Sequence, residues 1–323
     1  MRDWCLIVFN SLMPNKLKTQ TSVASGNLSC MVAVGLFSLG FPAADSLLET
    51  WGVITLITIR NLLGLLFLVG LMAFKMSVSS LTQLPWIKGF WIGFFGFGIG
   101  SMLLLLSQSM TNAVTAALAA ATIPICAVAL EVAFDGKRLT LNFLASVALV
   151  VLGGLTASGI QFGDFKIGLG FLIGLCASSL FAWGSRATVK GFPELTPLAR
   201  TTVTTLGMTG FCVFVFFGAL IFKIPGATIP TPTNNDFILL LIYAWCALGI
   251  SQWMWIRGVG QVGIGVASFH LNAAPFYVMV TMLLFGHGWN WLQAIGACIL
   301  AVGVIMAQSK PKLDSILKSK HSP

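Results

Sequence analysis

The sequence predicts an all-α integral membrane protein of ten transmembrane helices, arranged as two inverted five-helix repeats. Three observations carry this. Of 323 residues, 57% are hydrophobic and only 8% charged, against roughly 45 to 50% and 25% in a soluble domain. Apolar runs of about 20 residues, each long enough to cross a hydrocarbon core of roughly 30 Å, follow one another nearly end to end. The second half also matches the first when slid by about 150 residues. Together these exclude a soluble enzyme, a nucleic-acid reader and a disordered scaffold, and leave no stretch long enough for a separate extramembrane domain.

Runs broken by Gly, Pro, Asn and charge clusters place the ten segments near 27–47, 54–74, 88–108, 113–134, 140–160, 167–187, 198–222, 237–257, 262–285 and 289–308. Residues 1–26 form an N-terminal tail, 27–160 the first repeat, 167–308 the second and 309–323 a basic C-terminal tail. Trp4 to Met13 is apolar but too short to span, and no small-residue cleavage site follows it. No signal peptide is expected, and Met1 and Met13 both fit as the start.

The formal charge of +9 is read as a topology signal. Basic residues in short loops stay cytoplasmic. An arrangement with both termini and the even-numbered connections inside puts fifteen Lys and Arg there, against Lys166, Lys223 and Arg60 on or near the other face. The protein is therefore expected in the plasma (inner) membrane, with both ends in the cytoplasm. Trp51, Trp86, Trp289 and Trp291 fall at segment ends, as in an interfacial aromatic belt. Seven cysteines are scattered singly without a C-x-x-C pair and read as small buried side chains.

The internal match is concrete. "TAALAAATIPICAVALEVAFDGKRLTLNFLASVALVVLGG" lies over "VASFHLNAAPFYVMVTMLLFGHGWNWLQAIGACILAVGV", pairing Pro124 with Pro275 and Phe134 with Phe285. "VITLITIRN" lies over "ELTPLARTT", with Arg60 and Arg200 in corresponding places. Five segments per half is an odd number, so the halves enter the membrane from opposite faces. Inverted repeats of this kind are the architecture of secondary transporters, whose sites lie near the midplane where the halves meet.

These residues resemble a known family. The chain is similar to the drug/metabolite transporter superfamily, and within it to the EamA group of ten-helix carriers, over about residues 27–308. "NAVTAALAAATIPICAVALEVAFDGKRLT" resembles the family's small-residue stretch, central Pro and G-E-x-(L/P)-(T/S) turn, and "ASFHLNAAPFYVMVTMLLFGHGWNWLQAIGACILAVGV" resembles its second copy. "RNLLGLLFL" is similar to the Arg-bearing second helix and "LFAWGSRATVKG" to the Trp-bearing sixth. The acid of the two turns is replaced by Lys137 and His287, and the usual Trp-Gly of the first helix by Phe37 and Ser38. No role for those acids carries over. The resemblance implies a carrier of small metabolites with a lean towards export.

Read from the residues themselves, the candidates for substrate contact or gating are His270, Asn272, Tyr277, Trp183, Phe37, Ser38, Asp45, Thr122 and Gln252. Pro124 and Pro275 are the kink residues, and each leaves the carbonyl four residues earlier, Ala120 or Leu271, without its helical N–H. Either carbonyl can then receive a substrate ammonium, or the kinks serve packing; both readings stay open. His270 suits proton coupling, because its ordinary pKa lies near 6.5, or else is a neutral histidine bonded to another helix. Asp45 is a gate, a proton acceptor or a solvated helix-end carboxylate. Glu131 pairs with Lys137 or Arg138 or reaches the surface, and Arg60 and Arg200 anchor phosphates or cap carbonyls at helix ends. Gly89, Gly93, Gly96 and Gly100 lie on one helical stripe, read as a close-packing face.

A multiply anionic substrate would want several buried Lys or Arg groups, and almost none fall near mid-membrane. A neutral or zwitterionic metabolite, such as an amino acid or related amphiphile, is favoured. The expected partners are that substrate, membrane lipids and, as a candidate coupling ion, the proton; the chain acts as a monomer or homodimer, without nucleic acid, metal or cofactor. G-x-x-x-x-G-K-(S/T) and H-E-x-x-H are absent, and no Ser/His/Asp set can be argued. A membrane-embedded lipid-modifying enzyme and a lipid flippase are the alternatives; the enzyme would need acid/base or metal groups converging on one site.

Overall fold

A peptide group in hydrocarbon finds no water, so a chain this apolar must satisfy its backbone inside helices. The computed structural model describes residues 15–75, 81–135, 141–157 and 165–308, and among them there is no strand. The elements are α1 (Asn15–Leu48), α2 (Val53–Lys75), α3 (Trp86–Met110), α4 (Ala113–Phe134), α5 (Leu141–Ala157), α6 (Phe165–Gly191), α7 (Pro197–Ile221), α8 (Asn234–Leu284) and α9 (Trp291–Gln308). Seven of them contain an apolar stretch long enough to cross a membrane, and α5 and α9 are shorter apolar helices.

Local chemistry sets several starts. Asn112 accepts the Thr115 N–H at 2.9 Å at the head of α4, and Thr196 with Pro197 opens α7. Thr233 and Asp236 form a reciprocal capping box before α8. The first turn of α2 is instead capped by a loop: the Ile54 and Thr55 N–H groups both donate to the carbonyl of Gly226, whose φ of 101° only glycine adopts without strain. The loop after α7 is thereby folded over the head of α2.

Two boundaries depart from expectation. Helix α1 begins at Asn15 rather than near residue 27, because its polar first turns extend the helix beyond the apolar span, which starts at Val23. The two segments expected near 237–257 and 262–285 form one run of 51 residues, α8. That is about twice the 17 to 25 residues of one crossing. It turns at Gly263, where φ is 81° and ψ 157°; the arm before that residue is α8a (234–262) and the arm after it α8b (264–284). Trp4 to Met13, the choice between Met1 and Met13, the Glu131 pairing with Lys137 or Arg138, and residues 309–323 lie outside what the structure describes.

Four irregularities interrupt the helices. A π-helical stretch occupies Gly93–Gly98 in α3 and another Ile242–Ile250 in α8a. Helix α4 breaks in a turn at residues 121–122, just before Pro124, and α8b is interrupted by a 3-10 turn, His270–Ala273, just before Pro275. Their released groups find partners nearby. The Thr122 and Ser178 hydroxyls donate to the Ala119 carbonyl at 2.6 and 2.7 Å, and the Ala274 N–H donates to the Leu271 carbonyl. The carbonyl of Leu271, expected to be released by Pro275, is thus already engaged.

The glycine stripe of α3 serves two neighbours. A Cβ at Gly93 would overlap the Thr204 carbonyl of α7, and one at Gly207 would overlap the Phe90 carbonyl of α3, so these two backbones touch reciprocally. Gly96 instead lies against Gly184 and Trp183 of α6, and Gly100 against Phe181. The π turn spans Gly93 to Gly98 and so includes both Gly93 and Gly96. Its extra residue shifts the register, so one stripe meets two helices.

Gly207→Ala should therefore lower the unfolding midpoint in detergent, by an overpacking cost of about 1–3 kcal/mol. Gly218→Ala, where an added Cβ meets nothing within 4 Å on the same helix, serves as control and should leave the midpoint unchanged or raised. Equal shifts in the two variants would remove the α3–α7 interlock as the cause.

Candidate functional site

Between the helices lies a two-lobed cavity. The polar lobe is lined by Arg60 of α2, Ser101 and Gln108 of α3 and Tyr243 of α8a. The apolar lobe is lined by Ala120 and Ile123 at the α4 break, Ser185 of α6, Ser251, Gln252 and Trp255 of α8a, and Leu271 of α8b. Phe37, Leu104 and Phe181 line both and form the partition between them. Such a mostly apolar hollow with a few convergent polar groups is the usual form of a small-molecule site.

Arg60 is the most consequential group. As the eighth residue of α2 it sits about 10 Å along the axis at 1.5 Å per residue, well inside the span. It is 6% exposed. Its guanidinium lies over the Tyr243 ring, 4.5 Å from the centroid. Nε donates to the Tyr243 carbonyl and Nη1 to Asn61 Oδ1, both at 3.4 Å. These are long for charged hydrogen bonds, which run near 2.7–2.9 Å, and neither partner is a carboxylate. Around it, Asn61 is fixed by its amide donating to Cys212 Sγ at 3.2 Å and by its carbonyl accepting from the Thr209 hydroxyl at 3.1 Å. Arg200, in the corresponding place of the second half, is different: Nε and Nη2 donate to the Phe192 and Pro193 carbonyls at 2.7 and 2.6 Å. It caps a turn, as expected of both.

Gln108 closes the polar lobe towards the end of the bundle where α1 meets α2. Its amide donates to the Phe41 carbonyl at 2.7 Å and to Asp45 Oδ1 at 3.2 Å. Asp45 itself lines a separate outer pocket of about 770 Å³ with Asn112, His287, Asn290 and Gln293. One glutamine side chain thus stands between that pocket and the cavity. In the apolar lobe the Trp255 indole N–H donates to the Ser185 hydroxyl at 3.1 Å, and the Ser251 hydroxyl to the Ala33 carbonyl at 2.8 Å. These bonds fix α8a against α6 and α1.

The residues singled out from sequence are dispersed. Phe37 and Gln252 line the cavity. Ser38 is buried one position away, its hydroxyl donating to the Val34 carbonyl at 2.8 Å. Thr122 and Pro124 shape the α4 break, and Trp183 packs on Gly96. His270, Asn272 and Tyr277 line a lateral groove beside α9, with Tyr277 41% exposed. His270 Nε2 lies 3.1 Å from Asn27 Oδ1 on α1. Pro275 is buried where α8b resumes its α-helix after the 3-10 turn. The sequence reading placed Arg60 at a helix end and did not weigh Tyr243 or Phe181. The depth of Arg60 was open to counting from the head of α2; the other two carried no signal that separates a cavity wall from ordinary packing.

Comparison with known proteins agrees with this architecture. Residues 24–158 match the EamA-like transporter family. No curated protein sequence matches the chain. A crystal structure superposes with a TM-score of 0.66 at 16% sequence identity, over 88% of this chain and 97% of that one, a likeness of fold alone. Residues 24–158 are therefore similar to the EamA-like transporter family, part of the drug/metabolite transporter superfamily, and that match together with the run of apolar helices makes the chain a multi-pass membrane protein.

Proposed function

We propose that the protein is a secondary transporter that moves small neutral or zwitterionic metabolites, such as amino acids or related amphiphiles, by alternating access and with a lean towards export. The observation that supports this best is the two-lobed cavity, polar around Arg60, Gln108 and Ser101 and apolar around Trp255 and Leu271. It suits a ligand with one polar end and one apolar body.

The proposal takes α8 as two crossings that turn at Gly263, giving ten in all, with residues 27–160 and 167–308 as inverted repeats. Several features support the repeat. The π stretches of α3 and α8a are offset by about 150 residues, as are the breaks before Pro124 and Pro275. Helices α1 and α8a pack together, as do α3 and α6, and these pairs exchange when the halves are swapped. Helices α2 and α7, and likewise α5 and α9, pack as a helix with its own counterpart. The distribution of Lys and Arg supports both termini on the cytoplasmic side of the inner membrane.

Proton coupling has two candidate carriers. A coupling group must sense the substrate and reach a compartment. Asp45 fits better than His270, since it lines the outer pocket and is bonded through Gln108 to the cavity, whereas His270 faces the lateral groove.

Purified protein in proteoliposomes should exchange labelled for unlabelled amino acid in a saturable counterflow. Flux that rises linearly with concentration would indicate a pore, and lipid scrambling without solute exchange a flippase. Asp45→Asn should keep counterflow but lose acceleration by an imposed pH gradient, while His270→Gln should keep both. The opposite pattern would assign coupling to His270.

A further inference from the structure

Arg60 holds a full charge inside the bundle with its hydrogen-bonding capacity largely unspent. A guanidinium offers five N–H donors. Two are engaged, at 3.4 Å, with neutral oxygens. The described residues that line either lobe include no Asp or Glu, so the cavity carries the charge of Arg60 without a counterion. Asp45 is not that counterion: it lines the outer pocket, on the far side of Gln108, and its electrostatic neighbours are His287 and Glu49. A buried charge normally has a partner of opposite sign, because leaving it unpaired is costly. Here the open side of the guanidinium faces a hollow.

Resting on the carrier reading above but replacing its neutral or zwitterionic substrate class, we infer that Arg60 is the carboxylate subsite of the transported ligand, so that the substrate class is a small monocarboxylate, amino acids included, whose apolar body lies past Phe37 and Phe181 in the apolar lobe. A planar carboxylate matches the guanidinium fork in two parallel hydrogen bonds. The Tyr243 ring beneath the guanidinium holds its plane, and the Asn61 amide oxygen fixes its edge. A phosphate or dicarboxylate would bring a second negative charge that no other cation lining the cavity answers. An α-ammonium group is tolerated but adds nothing, since no acid lines either lobe to receive it. The ligand neutralises the site on entering and leaves it charged on departure, which disfavours closure of the empty cavity.

The test is a matched series in counterflow and in thermal-shift titration of the whole purified chain: 4-methylpentanoate, leucine and leucinamide, with 3-phenylpropionate, phenylalanine and phenylalaninamide beside them. The simple acids should bind at least as well as the amino acids, and the amides about 10- to 100-fold more weakly, as expected for loss of a charge-assisted bond to a buried group. Arg60→Gln should bring acid and amide within about threefold, and Arg60→Lys should restore part of the preference. The acid-to-amide comparison in the unaltered protein stands even where the variants do not fold. Equal binding of acids and amides, or a preference that survives in Arg60→Gln, overturns the inference. Saturable exchange of compounds without a carboxylate, and of none with one, overturns it and leaves the carrier standing; absence of saturable exchange for every compound overturns both.

Discussion

Inside a bilayer each backbone donor and acceptor must find its partner within the protein, and each failure costs several kcal/mol. That constraint decides where this bundle can be irregular. Pro124 and Pro275 each delete a donor from their helices. At the α4 break the Thr122 and Ser178 hydroxyls donate to the Ala119 carbonyl, next to the Ala120 carbonyl that Pro124 deprives of its N–H, and at the α8b break a 3-10 turn hands the Leu271 carbonyl to the Ala274 N–H. Both breaks border the cavity, through Ala120, Ile123 and Leu271. The hollow is found where helices can afford to deviate, and the polar groups that permit the deviation come from neighbouring turns and helices.

The same scarcity of partners separates the two buried arginines. An arginine near the centre of a span costs at least about 2.5–3.5 kcal/mol on insertion scales. Arg200 lies instead in the first turn of its helix and makes two short bonds to turn carbonyls. Arg60 has an aromatic face and two long bonds, and is left open to a cavity. The two arginines therefore do different work: one braces the scaffold and the other faces the hollow.

Hydropathy locates a residue along a helix axis but says little about which way its side chain points. The apolar spans and the two prolines were legible because each is a property of depth or of local backbone chemistry. Azimuth was not. Leu271 lines the cavity while its neighbours His270 and Asn272 line the lateral groove; successive residues on a helix differ by about 100° in direction, and no pattern in an all-apolar segment marks the inward one. The π turns add to this. The stripe from Gly89 to Gly100 has perfect helical spacing, yet Gly93 meets α7 and Gly96 meets α6. The head of α1 was missed for the opposite reason, since its polar turns look like a tail when only oil is counted.

Alternating access, as proposed, needs one contact between the halves that holds and others that give. The α3–α7 crossing is built to hold. Backbone meets backbone at Gly93 with Thr204 and at Gly207 with Phe90, so no intervening layer of side chains can repack and let the helices slide. With the two halves divided as proposed, one of these helices belongs to each, which makes the crossing a natural pivot. The closure towards the outer pocket is much lighter: the bonds from Gln108 to Phe41 and Asp45 lie across it, beside the Phe37–Leu104–Phe181 partition. Aromatic side chains change rotamer far more readily than packed backbones separate. Movement about the glycine crossing would therefore be expressed first at Gln108 and Phe37, the two groups that stand between a ligand at Arg60 and either way out.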